Sequence, residues 1–275
     1  MNIRNNYEKV YYENPLIWEK ERYLNAEIER AKLVLKWIPH DVDSILDVGC
    51  GNGTFVNYAS ASHSVVGVDF SWTALQQVKT PCCRGNIEFL PFPDKSFDIV
   101  TAMEVLEHLP YNSYMRSIEE IARVSKHLVL ITVPYKERLT LKLAICPECG
   151  CAFHRWYHMR SFTKPRLTDL FSNVPNPLHM VRLEGAFTIK YIPFVSYPLR
   201  LVWLRFGRRF PFESICPQCG FKKEASTEYA RALSKKADKK ADFFKRIERL
   251  IPIKITRYRW WIALYKKNEI IALTP

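Results

Sequence analysis

Three glycines at alternate positions constrain the fold of this chain more than any other feature of its sequence. Gly49, Gly51 and Gly53 follow the apolar stretch of residues 45–48, in which Asp47 is the single acidic residue. This pattern predicts a buried strand, a sharp turn and then a helix, with the backbone of the turn pressed against another molecule where a Cβ would not fit. A glycine-rich turn that binds nothing is the alternative if the motif is considered alone.

The spacing of the glycines distinguishes two classes of nucleotide ligand. A dinucleotide-binding turn follows the pattern G-x-G-x-x-G, which requires its third glycine at the position of Thr54. The third glycine is Gly53 instead, and the carboxylate of Asp47 suits a ligand with a cationic amino group better than a pyrophosphate. A second predicted strand, residues 64–69, ends at Asp69, whose carboxylate can accept hydrogen bonds from both ribose hydroxyls of a nucleoside.

Together with two motifs further along the chain, this pattern resembles the class I S-adenosylmethionine (SAM) methyltransferases, and among them the type 11, ubiquinone-biosynthesis-like branch. Residues 85–98 are similar to the adenine-binding loop and strand start of that branch, with Asn86 where the relatives usually carry aspartate. Residues 99–109 are similar to its fourth strand and to the Glu-Val-Leu-Glu-His-Leu segment that follows. The resemblance covers residues 40–135 and implies SAM as the cofactor. It implies cofactor contacts from Asp47, Gly49, Cys50, Gly51, Gly53, Asp69, Phe70, Asn86, Ile87, Met103 and Glu104.

Strands and helices alternate along the sequence, which predicts an α/β, Rossmann-like fold with helices on both faces of a parallel sheet. The resemblance implies seven strands, mostly parallel with an antiparallel last strand, and the sequence adds zinc-ribbon and lid insertions. Strands are predicted at residues 44–48, 64–69, 86–89, 97–103, 127–134, 177–187 and 259–265, and helices at 15–38, 54–60, 72–79, 113–126 and from 161 onward.

The chain has 275 residues, of which 48% are hydrophobic, and this is enough for one α/β core with additions. The predicted parts are an N-terminal helical cap (1–40), a SAM-binding core (41–145), a first zinc knuckle (146–160), a core helix and strand (161–188), a basic lid with a second zinc knuckle (189–254), and a last core strand and tail (255–275).

Two cysteine pairs interrupt this plan, each in a C-P-x-C-G sequence. Cys146 and Cys149 follow the fifth predicted strand, and Cys216 and Cys219 follow the sixth. Proline and glycine shape such loops so that both thiolates point at one ion. Because the loops after strands five and six leave the same edge of a parallel sheet, we expect the pairs to meet in one structural zinc site beside the substrate pocket. A redox dithiol is the alternative for either pair.

A second ligand set combines the first pair with two histidines. His154 and His158 have acceptable spacing from each other, but the gap of four residues between Cys149 and His154 is cramped for a zinc finger. The histidines also resemble a segment of zinc-bearing type 11 relatives, and a substrate contact or an ordinary surface position are their other candidate roles. Cys50, Cys82, Cys83 and Cys151 are expected to be packing residues or bystanders rather than ligands.

Positive charge is concentrated in the last third of the chain. Residues 190–267 contain 20 Lys and Arg against 6 Asp and Glu, whereas the rest of the chain holds 21 basic and 22 acidic residues. An anionic membrane surface or RNA is one explanation, and a lysine-rich soluble surface is the other. Residues 191–210 combine apolar and aromatic side chains with arginine, which favours a lid packed on the enzyme slightly over an interfacial segment, and lipid slightly over RNA.

The N-terminal residues lack the apolar stretch of a signal peptide, and no stretch is long enough to span a bilayer. Eight cysteines without a secretion signal suit a reducing compartment. We therefore expect a cytoplasmic protein, with peripheral contact to a membrane as an open alternative.

The expected activity is methyl transfer from SAM to oxygen or carbon of a small-molecule, glycan or lipid-linked acceptor. His108 is the candidate general base, and packing or helix capping is its alternative role. Residues 103–106 lack the Asn-Pro-Pro-aromatic motif of enzymes that methylate planar amino groups. An RNA methyltransferase that uses the basic third is the second hypothesis, and a SAM- or zinc-binding adaptor without turnover is the third.

Overall fold

The computed structural model describes residues 11–18, 21–193, 214–222 and 252–267. The chain divides into two compact units, and each unit is assembled from separate segments. One unit comprises residues 1–7, 138–158 and 186–259, and the other comprises residues 8–137, 159–185 and 260–275. We call them the cysteine unit and the sheet unit, after their main features.

The strands form one large and one small sheet. They are β1 Ser44–Val48, β2 Ser64–Asp69, β3 Cys82–Arg84, β4 Phe97–Met103, β5 Ser125–Pro134, β6 Leu143–Ile145, β7 Ala152–His154, β8 Leu178–Pro193 and β9 Pro252–Lys267. The large sheet has seven strands in the order β3-β2-β1-β4-β5-β9-β8, and β6 pairs with β7 in a two-stranded antiparallel sheet. Strands β1 to β5 pair in parallel, whereas β9 runs antiparallel to β5. The predicted α/β fold with a mostly parallel seven-stranded sheet is therefore confirmed.

Helices precede the first strand and lie between several of the later strands along the chain. They are α1 Pro15–Trp18, α2 Glu21–Leu35, α3 Thr54–Ala59, α4 Trp72–Leu75, α5 Tyr111–Val124 and α6 Lys164–Thr168. The start of α6 follows from its sequence, because the Thr163 side chain caps it and Pro165 occupies its first turn. Helix α5 buries Ile118 and Ile121 completely, and this apolar face packs it into the core of the sheet unit.

The central strands are buried almost throughout, which explains their apolar sequences. Ile45, Leu46, Val100 and Ile131 have no exposed surface. Strands of a parallel sheet that is covered on both faces read as continuous apolar runs, so their positions are visible in the sequence. The parallel pairing of β1 with β2 and with β4 places the carboxyl ends of these three strands side by side, where a ligand site is expected.

The third strand lies earlier than predicted. It is Cys82–Arg84, and the predicted strand at residues 86–89 is wrong. Asn86 begins a turn there, in which its side-chain oxygen accepts a hydrogen bond from the Glu88 N–H at 3.0 Å and its carbonyl accepts one from the Phe89 N–H at 2.9 Å. Such local side-chain bonds of asparagine compete with strand pairing.

Several predictions concern other parts of the chain. The basic segments 194–213 and 223–251 lie outside the described residues, and with them most of the predicted lid. Within the described part of the chain, no helix combines the length and the apolar composition that crossing a membrane requires.

Candidate functional site

The glycine turn after β1 has the backbone that the sequence predicts. Gly49, Gly51 and Gly53 have φ angles of 72°, 54° and 81°, in the left-handed region that favours glycine. A Cβ at Gly49 would lie 2.5 Å from a methyl group of Val105, and a Cβ at Gly51 would lie 2.9 Å from the ring of Trp18. The turn is therefore closely packed, and larger residues at these positions would displace its neighbours.

Asp69, at the tip of β2, ties two loops together. One carboxylate oxygen accepts a hydrogen bond from the Gly51 N–H at 2.8 Å, and the other accepts one from the Ser71 N–H at 2.8 Å. The residue is 7% exposed. Burial raises the pKa of the Asp69 carboxyl, and these backbone donors oppose the rise. The glycine turn and the loop after β2 are thus organised around one buried acid.

Asp47 lies inside β1, next to the turn. It is 2% exposed, and one of its carboxylate oxygens accepts a 2.6 Å hydrogen bond from the Thr101 hydroxyl on β4. Burial raises the pKa of Asp47 to about 7, although the Thr101 hydrogen bond and the Arg30 charge oppose this rise. A buried acid with this pKa would ionise readily beside a cationic ligand.

Asp47 should make the stability of the protein depend on pH. Its pKa rises from 3.8 to about 7 on folding, so folding favours the protonated form, and stability should fall as the pH increases between about 4 and 7. The full shift corresponds to about 4 kcal/mol. In the Asp47→Asn variant, whose amide oxygen can still accept the Thr101 hydrogen bond, urea unfolding from pH 5 to 8 should show a smaller decline.

Asp98 provides the matched control for this prediction. It accepts hydrogen bonds from Ser44, at the other end of β4, and together with Lys126 these bonds lower its pKa despite the effect of burial. The Asp98→Asn variant should therefore lose stability near neutral pH and lose less as the pH falls. An unchanged pH profile in the Asp47→Asn variant would contradict the proposed ionisation.

The other predicted cofactor residues occupy the loops around this turn. Cys50 is 7% exposed within the turn, and Phe70, after β2, is 38% exposed. Ile87 packs against the core from the turn after β3, in which Asn86 also lies. At the end of β4, Met103 is buried and Glu104 has a φ of 58°, which is uncommon for a residue other than glycine. Strained backbone of this kind is enriched at functional sites.

These loops are covered by residues 11–18, for which the sequence gives no site signal. In residues 11–18, the Glu13 carboxylate accepts hydrogen bonds from the N–H groups of Trp72 and Thr73 at 3.1 and 3.0 Å. The carbonyl of Tyr12 accepts bonds from the Ser71 hydroxyl and from the Trp18 indole N–H, both at 2.7 Å. The N-terminal segment is therefore docked on the loop after β2.

His108, the predicted general base, lies beyond β4 and contacts the same segment. Its Nδ1 is 3.0 Å from the hydroxyl of Tyr12, and the two rings meet edge to face with centroids 5.9 Å apart. The neighbouring Glu107 is fully buried, and neither of its carboxylate oxygens has a hydrogen-bond partner among the described residues. Burial, followed by the nearby Glu104 carboxylate, raises the pKa of Glu107 well above its usual value.

The loop around His108 is held by contacts that the sequence does not reveal. The Arg160 guanidinium donates to the Leu106 carbonyl at 2.6 Å, and the Met159 N–H donates to the Glu107 carbonyl at 2.7 Å. Arg160 also lies over the ring of Tyr114, 4.0 Å from its centre. These contacts join residues more than 45 positions apart in the sequence, and no local pattern reveals them.

The four predicted zinc ligands come together in the cysteine unit. The Sγ atoms of Cys146 and Cys219 are 3.6 Å apart, those of Cys149 and Cys216 are also 3.6 Å apart, and all four lie within 4.8 Å of one another. Four sulfurs placed tetrahedrally around zinc at about 2.3 Å would be about 3.8 Å apart. These are free cysteines, and their arrangement fits a tetrahedral ion.

Both cysteine loops have the same backbone structure. Cys146 and Cys216 each donate an N–H bond to the residue five positions later and accept one from the glycine four positions later. Those glycines, Gly150 and Gly220, have φ angles of 69° and 75°. Burial would raise the pKa of the Cys216 thiol, but the backbone N–H groups of Gln218 and Cys219 and the neighbouring thiols lower it to about 7. A thiol with this pKa is readily available as a thiolate ligand.

The histidines of the rival ligand set have other contacts. The rings of His154 and His158 stack with centroids 4.6 Å apart, and Nδ1 of His154 accepts a hydrogen bond from the His158 N–H at 3.1 Å. Tyr157, between them, bonds through its hydroxyl to the N–H and carbonyl of Ile215 and so connects the two cysteine segments. The geometry therefore favours the four-cysteine set.

The fold and the glycine turn together define a class of protein. The chain carries a class I SAM-dependent methyltransferase domain. Residues 46–131 match the model of a methyltransferase domain family, type 11. This stretch contains the glycine turn, Asp69 and His108, so the resemblance inferred from the motifs is confirmed.

Three curated relatives match parts of the chain. An uncharacterized protein of Methanocaldococcus jannaschii is 34% identical over 150 residues, which cover 53% of this chain and 64% of that protein. The mitochondrial ubiquinone biosynthesis O-methyltransferase of Schizosaccharomyces pombe is 34% identical over 103 residues, covering 32% of this chain and 37% of that enzyme. The 27-O-demethylrifamycin SV methyltransferase of Amycolatopsis mediterranei is 32% identical over 95 residues, covering 30% of this chain and 34% of that enzyme. The chain thus spans less than two thirds of the length of these relatives.

A solved structure supports the fold over most of the chain. A SAM-dependent methyltransferase from Archaeoglobus fulgidus superposes with a TM-score of 0.52 at 15% identity, covering 89% of this chain and 94% of that protein. At this level of identity the similarity concerns the fold alone.

Proposed function

We propose that this chain is a SAM-dependent methyltransferase that transfers a methyl group to oxygen or carbon of a small-molecule, glycan or lipid-linked acceptor. The observation that carries the proposal is the buried carboxylate of Asp69, which joins the glycine turn to the loop after β2 at the carboxyl edge of the sheet. Ligands of open α/β sheets bind at this edge. The names of two relatives, an O-methyltransferase of ubiquinone biosynthesis and a 27-O-demethylrifamycin methyltransferase, favour oxygen as the methylated atom.

The residues at this edge fit SAM. Asp69 would accept hydrogen bonds from the ribose hydroxyls, and Asp47 would provide a negative charge near the cationic amino group. The backbone of the glycine turn, with Cys50, would lie against the cofactor. Phe70, Asn86 and Ile87 would hold the adenine, and Met103 and Glu104 would complete the site from the end of β4.

When bound, SAM supplies a methyl group on a sulfonium, which is already activated for displacement. The chain aligns the acceptor atom with that methyl group and excludes water, and such positioning accounts for much of the rate. His108 would accept the proton of a hydroxyl acceptor as general base, because histidine is the side chain that most often transfers protons in catalysis.

We also propose that Cys146, Cys149, Cys216 and Cys219 hold a structural zinc ion. A site with four protein ligands has no open position for a water or substrate, so its role is to join two distant segments of the cysteine unit. The support is the matching backbone of the two cysteine loops and the spacing of their sulfurs. Two points stay predictions. One is the division of the chain into cap, core, knuckles and lid, and the other is the position of the zinc site beside the acceptor pocket.

A methyl-transfer assay separates the three functional hypotheses. The protein would be given SAM with a radiolabelled methyl group and, in separate reactions, a protein-free extract of small molecules and lipids or total RNA. We expect label in the small-molecule or lipid fraction, and none with the Asp69→Ala variant. Label in RNA would instead support the second hypothesis, and SAM binding without transfer to either fraction would support an adaptor.

A further inference from the structure

We propose that Tyr12 is a positioning residue for His108, and that the docking of residues 11–18 on the cofactor loops controls this role. The proposal rests on the proposed function of His108 as general base. The structure brings the Tyr12 hydroxyl to 3.0 Å from Nδ1 of His108, although the two residues are 96 positions apart. A contact at that separation in sequence exists only when the N-terminal segment is in place.

The hydrogen bond at Nδ1 decides what the other ring nitrogen can do. A neutral imidazole carries one proton, and the bond made by one nitrogen determines which of them holds it. For His108 to accept a proton at Nε2, Nδ1 must carry the ring proton and donate it to the oxygen of Tyr12. We infer that Tyr12 stabilises this tautomer and fixes the orientation of the ring through the edge-to-face contact.

Tyr12 is held in place by the loops that form the cofactor site. Its ring meets the ring of Phe70 edge to face at 5.5 Å, and its carbonyl accepts the hydrogen bond of the Ser71 hydroxyl at 2.7 Å. The adjacent Glu13 caps the start of α4 and pairs with Arg84 at 3.1 Å. Trp18 lies against Gly51 of the glycine turn.

These contacts give the arrangement a functional consequence. The glycine turn and the loop after β2, which form the cofactor site, both contact the segment that carries Tyr12. Disturbing either loop would therefore move the Tyr12 hydroxyl away from His108. The base is then correctly oriented only when the N-terminal segment covers the cofactor loops.

Nitrogen-15 NMR of the histidine side chains in the 275-residue chain tests the proposal without an acceptor. In the wild-type protein we expect the His108 signal, assigned with His108→Gln, to show a protonated Nδ1 and an unprotonated Nε2. Tyr12→Phe keeps the aromatic ring and removes the hydroxyl. In this variant the ring proton of His108 should move from Nδ1 to Nε2 in some or all of the molecules. Tyr11→Phe removes a neighbouring hydroxyl and serves as the matched control, in which the signal should stay unchanged.

A second variant tests the link to the cofactor loops. Glu13→Gln weakens the bonds to α4 and Arg84 without touching His108, and we expect it to shift the His108 signal in the direction of Tyr12→Phe. A wild-type signal with the proton on Nε2, or an unchanged signal in Tyr12→Phe, would overturn the proposal. The methyl-transfer assay on the same samples keeps the two proposals distinguishable, because failure of the proposed function would appear as absent methyl transfer by the wild-type protein, whatever its histidine signals show.

Discussion

The Asp69→Ala variant should lose most of its affinity for SAM. In the proposed complex, the carboxylate accepts two hydrogen bonds from the ribose, and each bond to a charged group contributes about 1.5–3 kcal/mol. Asp69 also holds the Gly51 and Ser71 N–H groups, so its removal loosens both loops. We expect isothermal titration calorimetry to show affinity reduced by at least about a hundredfold.

The Asp98→Ala variant is the control for a general loss of structure. Asp98 is a comparable carboxylate that bonds the backbone and hydroxyl of Ser44 at the opposite end of the sheet. It should lose stability but keep its affinity for SAM. Unchanged SAM affinity in Asp69→Ala, or tighter binding of a nicotinamide dinucleotide than of SAM by the wild-type protein, would remove the basis of the proposed function.

Much of the fold could be predicted because buried strands have apolar sequences. Strands β1, β2, β4 and β5 are enclosed on both faces, so they appear as apolar runs with clear ends. Strand β3 is at the edge of the sheet and its residues are partly or fully exposed. It therefore has no apolar run, whereas the turn after it is more apolar and so has the composition expected of a strand.

The division into units could not be predicted from the sequence. Each unit combines three segments, and two of the boundaries fall inside β8 and β9, where the strands continue without a break. Sequence patterns describe neighbours along the chain, whereas these units depend on contacts between distant segments.

The same distinction applies to the candidate site. The glycine turn and Asp69 carry a local signal, since positive φ angles and a strand-end acid restrict which residues are possible. Tyr12 and Arg160 carry none, because a tyrosine near a terminus and an arginine before a helix are common in any sequence. Their roles depend on partners 96 and 54 residues away.

In the cysteine loops, the sequence motif predicts the local turns but not the contact between the two pairs. The two C-P-x-C-G sequences predict knuckle turns. Both loops have the same backbone hydrogen-bond pattern and similar φ angles at their glycines, in agreement with that prediction. Their meeting could only be inferred from topology, since 66 residues separate Cys149 from Cys216. The close approach of all four sulfurs supports that inference.

Removing one cysteine ligand should release the metal and loosen both cysteine loops together. We expect the purified protein to contain one zinc ion per chain by elemental analysis, and Cys149→Ser or Cys219→Ser to lose it. Both side chains are at exposed positions, so the substitutions should not disturb packing by themselves. Metal binding and local folding are coupled, with about 10–16 kcal/mol of apparent binding energy in small zinc sites. Hydrogen exchange should therefore speed up in residues 146–151 and 214–222 at the same time.

Cys151→Ser is the matched control, because Cys151 is the nearest cysteine outside the four-sulfur group. It should keep its zinc and its slow hydrogen exchange. A metal-free wild-type protein that is folded and active with all four thiols titratable would refute the site. Zinc that persists in the double variant Cys216→Ser, Cys219→Ser would instead favour the set with His154 and His158.

The Tyr157 hydroxyl also joins the two cysteine loops. Tyr157→Phe should therefore weaken that connection while the zinc content stays unchanged. This result would separate the contribution of the metal from that of packing.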